Sequence, residues 1–247
     1  MALKDNFSRQ SEHYAKFRPH YPEKMFDFIL RNVPGRQCAW DVATGNGQVA
    51  GMLAKHFELV MASDISENQL RHAVQRRNIL YKLENAEHSS FADNTFDLIT
   101  VAQAVHWFKF DAFFSEVKRT LKQGGIIAVI GYPLFRLDDE VDALIWKFYS
   151  ETLHGYWDPE RKYLDEMYNT IPFPFTEIAS PSFEMEYEWT MDQLTGFLRT
   201  WSAVNHYLLK HGTNPVDIFE LSLKQIWEEG AKKTIHFPLL LKLGRIE

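Results

Sequence analysis

At 247 residues, with 45% hydrophobic and 15% aromatic composition, the chain is long enough to bury a sizeable core and too apolar to be disordered. Its formal net charge of -6 and pI near 5.9 exclude a global basic field, so nucleic acid is not an expected partner. The polar opening MALKDNFSRQ, and the lack of any apolar run near the roughly 18 residues a membrane span needs, predict a soluble cytoplasmic protein with no membrane partner.

In chain order, Tyr21-Pro22-Glu23 opens a helix, because proline is tolerated at the first helical position; Met25, Phe26, Ile29 and Leu30 give it an apolar face. A strand over 37–42 follows. It contains Cys38, the single cysteine, which reads as a buried structural thiol and rules out both an intrachain disulfide and a cysteine metal cluster. The strand runs into a glycine loop, and a helix is predicted over 47–56. A second buried strand, 59–63, ends at Asp64. Ser66 and Gln69 have the spacing of a capping box, which predicts a helix to about Arg77. Further strands fall near 80–83 and 96–101. Asp111 is placed to cap a helix through Leu121, with the stripe Phe113, Phe114, Val117 and Leu121, and Gly124-Gly125 stops it. IIAVIG, residues 126–131, reads as a fifth strand.

Strands alternating with helices at this spacing imply a parallel, doubly wound α/β sheet over 35–131. Beyond it lie helical stretches at 140–152 and 158–168, the proline-rich IPFPF loop, a strand at 182–190, a helical region over 191–230 and a closing strand at 234–246. The expected organisation is a single domain over 1–247: an N-terminal cover (1–34), the core (35–131), and helical lid insertions (about 132–181 and 191–230) over the carboxyl edge of the sheet. Monomer and homodimer are both open.

DVATGNGQVA, residues 41–50, is the loop between the first strand and its helix. A G-x-G turn there lets backbone approach a ligand in the crevice of an open parallel sheet. Gly45, Gly47 and Ala50 also satisfy the relaxed dinucleotide pattern, so the glycines leave NAD open. Asp41 discriminates: its negative charge suits a cationic ligand better than a pyrophosphate. Asp64 is placed to accept from a ribose diol, which would serve either cofactor.

These motifs, with NAEHSSFADNTFD (85–97) and FDLITVAQAVHWF (96–108), resemble class I S-adenosylmethionine-dependent methyltransferases over residues 35–131. The resemblance implies a Rossmann-like fold with strand order 3-2-1-4-5-7-6, the seventh strand antiparallel, and S-adenosylmethionine as cofactor. It also implies that Asp41, Gly45 and Gly47 hold the methionine part, Asp64 the ribose, and Ile65, Ala86 and Glu87 the adenine, with Gln103 facing the cofactor beside the substrate. FSRQSEHYAKFRPHYP, AVHWF and LRTWSAVNHY further resemble the trans-aconitate methyltransferase-like subgroup, some of whose members methylate carboxyl groups of small molecules.

Methyl transfer from a sulfonium is an in-line displacement whose main demand is alignment in a dry pocket, and a carboxylate acceptor is already ionised at pH 7. A catalytic dyad is therefore not required; groups that hold an anion are. Arg18 is the first candidate for an anion or cofactor contact, the alternative being a surface arginine packed on its aromatic neighbours. Tyr14 is expected over the cofactor and Tyr21 near the acceptor. His106 and Trp107, just past the fourth strand, are the catalytic candidates; His106 would orient the acceptor or serve as a base for a hydroxyl. Arg199, Trp201, Ser202 and Asn205 are expected to line the acceptor pocket, Ser202 and Asn205 on one helix face. No HExxH or Cys-His pattern occurs, so no metal is expected. The expected activity is methyl transfer to a small, anionic acceptor; the rivals are an NAD-dependent oxidoreductase and a non-catalytic cofactor-binding member of the fold.

Overall fold

The computed structural model describes residues 19–247; Tyr14 and Arg18 lie outside the described residues. Helix α1 (Glu23–Asn32) buries Met25, Phe26, Ile29 and Leu30, with Pro22 standing as its N-cap, one position earlier than predicted. Strands β1 (Cys38–Val42) and β2 (Leu59–Asp64) follow, separated by the short helix α2 (Gln48–Leu53). Helix α3 (Glu67–Arg71), β3 (Ile79–Leu83), β4 (Phe96–Ala102), α4 (Phe110–Thr120) and β5 (Leu121–Gly131) complete the predicted alternation. Beyond it come α5 (Asp139–Lys147), α6 (Arg161–Asp165), β6 (Thr176–Ile178), β7 (Phe183–Thr190), α7 (Met191–Leu198), α8 (Ser202–His211), α9 (Pro215–Leu223) and β8 (Lys232–Arg245).

The sheet runs β3-β2-β1-β4-β5-β8-β6, with β7 also paired to β8. The first five strands are mutually parallel, and β8 is antiparallel to β5, β6 and β7. This is the expected Rossmann-like order with β8 in the seventh place. The edge beyond β8 is built in two pieces. Ile178 pairs with Leu243 and Phe183 with Leu239, five residues against four, so the interruption around Pro181 acts as a bulge between β6 and β7.

Every residue of β1 is buried, as a parallel strand covered on both faces requires. Ala39, Leu98, Ile126 and Ala128 face one side of the sheet, where they meet α1, α2 and the segments after Gly131; Trp40, Ile99, Ile127 and Val129 face the other, against α4 and Tyr168. Among the described residues no helix is long and apolar enough to cross a membrane.

Three predicted helices change. Helix α3 stops at Arg71, although Ser66 does cap it by accepting from the Gln69 N–H. The Val74 N–H instead donates to Asn46 O in the glycine loop at 3.0 Å, which draws the following residues out of helical register. Helix α4 has Lys109 at its N-cap, and Asp111 lies in its first turn, where a negative charge still suits the helix dipole. The helix ends at Thr120, ahead of the two glycines, and β5 begins at once. The region 191–230 is three helices. The Thr200 hydroxyl donates to Phe197 O at 2.6 Å and closes α7, so Arg199 is the C-cap of α7 and Trp201 the N-cap of α8.

Candidate active site

The glycine loop is held in shape by its own acid. Buried Asp41 accepts from the Thr100 hydroxyl at 2.8 Å, the Ala50 N–H at 3.1 Å and the Thr44 hydroxyl. Burial pushes its pKa up to about 6 against the opposing effect of those hydrogen bonds. Asp41 thus braces the strand-loop-helix junction from beneath, a task that spacing alone did not show. Ala43, Gly45 and Gly47 have φ of 50, 56 and 78°, so three residues within five occupy the left-handed region.

A Cβ on Gly45 would meet only Gln69 Oε1, at 4.0 Å, and would project into the open space above the loop. At Gly47 it would come within 2.4 Å of the Tyr81 hydroxyl. Asp64, at the end of β2, accepts from the Gly45 N–H at 2.8 Å and the Ser66 N–H at 2.9 Å. It ties the loop to the next turn at the rim of the crevice. Ile65 beside it is exposed. A bare backbone cradle, a carboxylate at its rim and an apolar platform form a set that fits a nucleoside carrying a cationic amino-acid arm.

The other cofactor candidates fall at the same edge. Ala86 is buried. The Glu87 carboxylate accepts from the Lys109 N–H at 3.0 Å, which ties the segment after β3 to the start of α4. Gln103 follows β4 with φ 56°. Its N–H donates to Ile130 O at 2.8 Å and its amide to Tyr132 O at 3.1 Å.

Gln103 is also the first residue of a cavity enclosing about 670 Å³ of space, part of it open to solvent, between the carboxyl ends of β4 and β5 and the helices beyond. His106, Trp107, Trp201 and Ser202 line it, joined by Asp158 and Arg161. His106 and Trp107 belong to a 3-10 turn, Val105–Trp107. The His106 Nδ1 lies 3.0 Å from the Tyr168 hydroxyl; burial, reinforced by the Arg161 charge, pushes its pKa down to about 3, so the ring is neutral.

Three residues expected at the acceptor are not in that lining. Arg199 pairs with Asp217 at 2.8 Å and Glu220 at 3.1 Å and does not line the cavity; its charge holds α7 to α9. Asn205, one turn into α8, is likewise outside the lining. Tyr21 packs against Tyr132, ring centroids 6.4 Å apart. Arg161 lines the cavity and was not singled out in the sequence. Its guanidinium lies over the Trp157 and Tyr149 rings at 5.0 and 5.4 Å and pairs with Asp165 at 3.1 Å. The i, i+4 pairing with Asp165 was readable from the sequence; the fold-back that aims α6 at the end of β4 was not.

A methyltransferase-domain family model matches residues 40–129. A Dictyostelium discoideum protein named as a methyltransferase is 32% identical over 252 residues, covering 98% of this chain and 95% of its own. A Saccharomyces cerevisiae protein named as an S-adenosylmethionine-dependent methyltransferase is 24% identical, over 91% of this chain and 89% of its own. A solved structure from Anaeromyxobacter dehalogenans, described as a type II methyltransferase, superposes with a TM-score of 0.85 at 35% identity, over 93% of this chain and 98% of that one.

The chain belongs to the class I S-adenosylmethionine-dependent methyltransferases. It is an enzyme whose cofactor is S-adenosylmethionine, and the oxidoreductase and non-catalytic readings fall away.

Proposed function

We propose that the protein methylates a carboxylate of a small anionic molecule, held in the cavity beyond Gln103. The observation that carries this reading is the pairing of a cation with a non-basic histidine in that cavity. Arg161 supplies positive charge on an aromatic platform, while His106, at a pKa near 3, stays unprotonated and is a weak base at neutral pH. That arrangement suits an acceptor that is already ionised and needs only to be held. The second charged wall residue, Asp158, has its carboxylate 3.9 Å from His206 Nδ1, so an imidazole stands beside it.

When bound, S-adenosylmethionine supplies an electrophilic methyl group. Gly45 and Gly47 give it backbone access, Asp64 meets the ribose, Ile65 and Ala86 flank the adenine, and Asp41 sets a negative charge under the methionine end. Arg161 and Ser202 orient the acceptor. Trp107, Trp157, Trp201, Phe135 and Phe197 exclude water, which strengthens the ion pairing inside. On this reading residues 132–230 close over the sheet as part of one domain.

The test is a screen of di- and tricarboxylic acids with methyl-labelled S-adenosylmethionine, beside matched alcohols and amines. Label is expected in base-labile product from at least one acid. Turnover of alcohols or amines with none of any acid would reject the proposal.

A further inference from the structure

Behind His106 in the cavity wall stands a side chain that the proposed chemistry leaves unused. Tyr168 is fully buried, with its ring against His106 at a centroid distance of 5.9 Å and its hydroxyl 3.0 Å from His106 Nδ1. The ring is seated on Gly131 at the end of β5, where an added Cβ would come within 2.7 Å of Cε2. Both Met167 and Tyr168 are left-handed, with φ of 57 and 56°, a conformation that costs a non-glycine residue on the order of 1–2 kcal/mol. Two successive residues bearing that cost to deliver one hydroxyl to one ring nitrogen is the kind of stored strain that marks a constrained site.

The hydrogen bond has a definite direction. Burial raises the Tyr168 phenol pKa, so it keeps its proton, and among the described residues Nδ1 is its hydrogen-bond partner. Were Nδ1 to carry a hydrogen and donate, the buried phenol proton would be left unsatisfied, at a cost of about 1–3 kcal/mol. The phenol therefore donates and Nδ1 accepts. In a neutral imidazole the other nitrogen must then carry the hydrogen. Among the described residues Nε2 has no hydrogen-bond partner, and His106 lines the cavity, the side from which an acceptor would reach its N–H.

We infer that Tyr168 is a positioning residue that fixes His106 as the Nε2–H tautomer, making it a hydrogen-bond donor to the acceptor's anionic group and not a base. The donor role rests on the carboxylate reading above; the tautomer does not. Arg161 and the His106 N–H would then grip one anion from two sides.

The test separates the two. Long-range nitrogen-proton correlation spectra of histidine-labelled full-length protein, with His106 assigned by difference from His106→Gln, should show Nδ1 unprotonated and Nε2 protonated. Tyr168→Phe keeps the ring on Gly131 and removes only the hydroxyl, so its His106 should sample both tautomers. A protonated Nδ1 in the wild type, or an unchanged tautomer in Tyr168→Phe, overturns the inference. With an acid that turns over, His106→Phe, which removes the ring N–H, should raise the acceptor KM about tenfold, the loss of one hydrogen bond to a charged group, and Tyr168→Phe only about twofold, the share of His106 moved to the other tautomer; both should leave the cofactor KM in place. An unchanged acceptor KM removes the donor role. Failure of every acid rejects the carboxylate reading and leaves the tautomer to be decided by the spectra.

Discussion

Asp41 and His106 are buried ionisable residues with opposite effects on acid stability. The Asp41 pKa near 6 lies above its unfolded value of about 3.9, so the native state holds the extra proton and gains stability as pH falls from about 6 to 4. The His106 pKa near 3 lies below its unfolded value of about 6.5, so the unfolded state binds the proton first and stability is lost as pH falls through 6.5. His106→Gln should therefore lose less Tm than the wild type between about pH 7.5 and pH 5 in thermal scans; an equal loss would show that the ring titrates normally. For Asp41 the readout is binding. The ammonium of the methionine part favours the ionised form, so S-adenosylhomocysteine affinity should fall toward tenfold per pH unit below about 6. Asp41→Asn should flatten that profile in calorimetric titrations, and a wild-type affinity constant across the range would separate Asp41 from the ligand. Asp64→Ala should weaken the same ligand at least tenfold, since it removes a ribose acceptor and frees the Gly45 N–H that the carboxylate holds; unchanged affinity would free Asp64 of both roles.

Among the elements, the glycine loop and the helices after Gly131 differ in how far the sequence exposes them. The loop was legible because its backbone demands are written locally: glycines at positive φ, an acid closing a buried strand, and an acid after the next. Ala43 is the exception, a left-handed residue with no glycine to announce it. Ala43→Gly should leave Tm unchanged or raise it, whereas the β-branched Ala43→Val should cost about 2 kcal/mol or more in chemical denaturation, from backbone crowding. Equal stabilities would mean that the loop relaxes at this position. The later segments were legible as helix but not as arrangement, because periodicity reports which face is apolar and is silent on where the helix points. LRTWSAVNHY reads as one patch, yet Thr200 splits it and sends Arg199 to Asp217 and Glu220. Arg199→Met should accordingly lower stability by no more than about 1 kcal/mol and leave acceptor kinetics alone. Arg161→Met should raise the acceptor KM tenfold or more, and the reverse pattern in steady-state kinetics would exchange their roles.

For the whole molecule, the parallel pairing of the first five strands follows from the alternation of buried strands with helices, whereas their order was expected from the family resemblance alone. The acceptor cavity follows from a contact between segments more than 50 residues apart, His106 and Arg161 on either side of one space. No local pattern encodes that meeting, which is why the residues at the carboxyl edge of the sheet could be placed one by one and the lining of the cavity only in part. On the proposed function this cavity presents a carboxylate oxygen to the methyl group. The carbon-13 spectrum of the product made from the best acceptor with carbon-13-methyl S-adenosylmethionine reads that atom directly. The resonance of a methyl ester, lost on mild base treatment, is expected; a methyl ether, N-methyl or C-methyl resonance in its place would rule out transfer to a carboxylate.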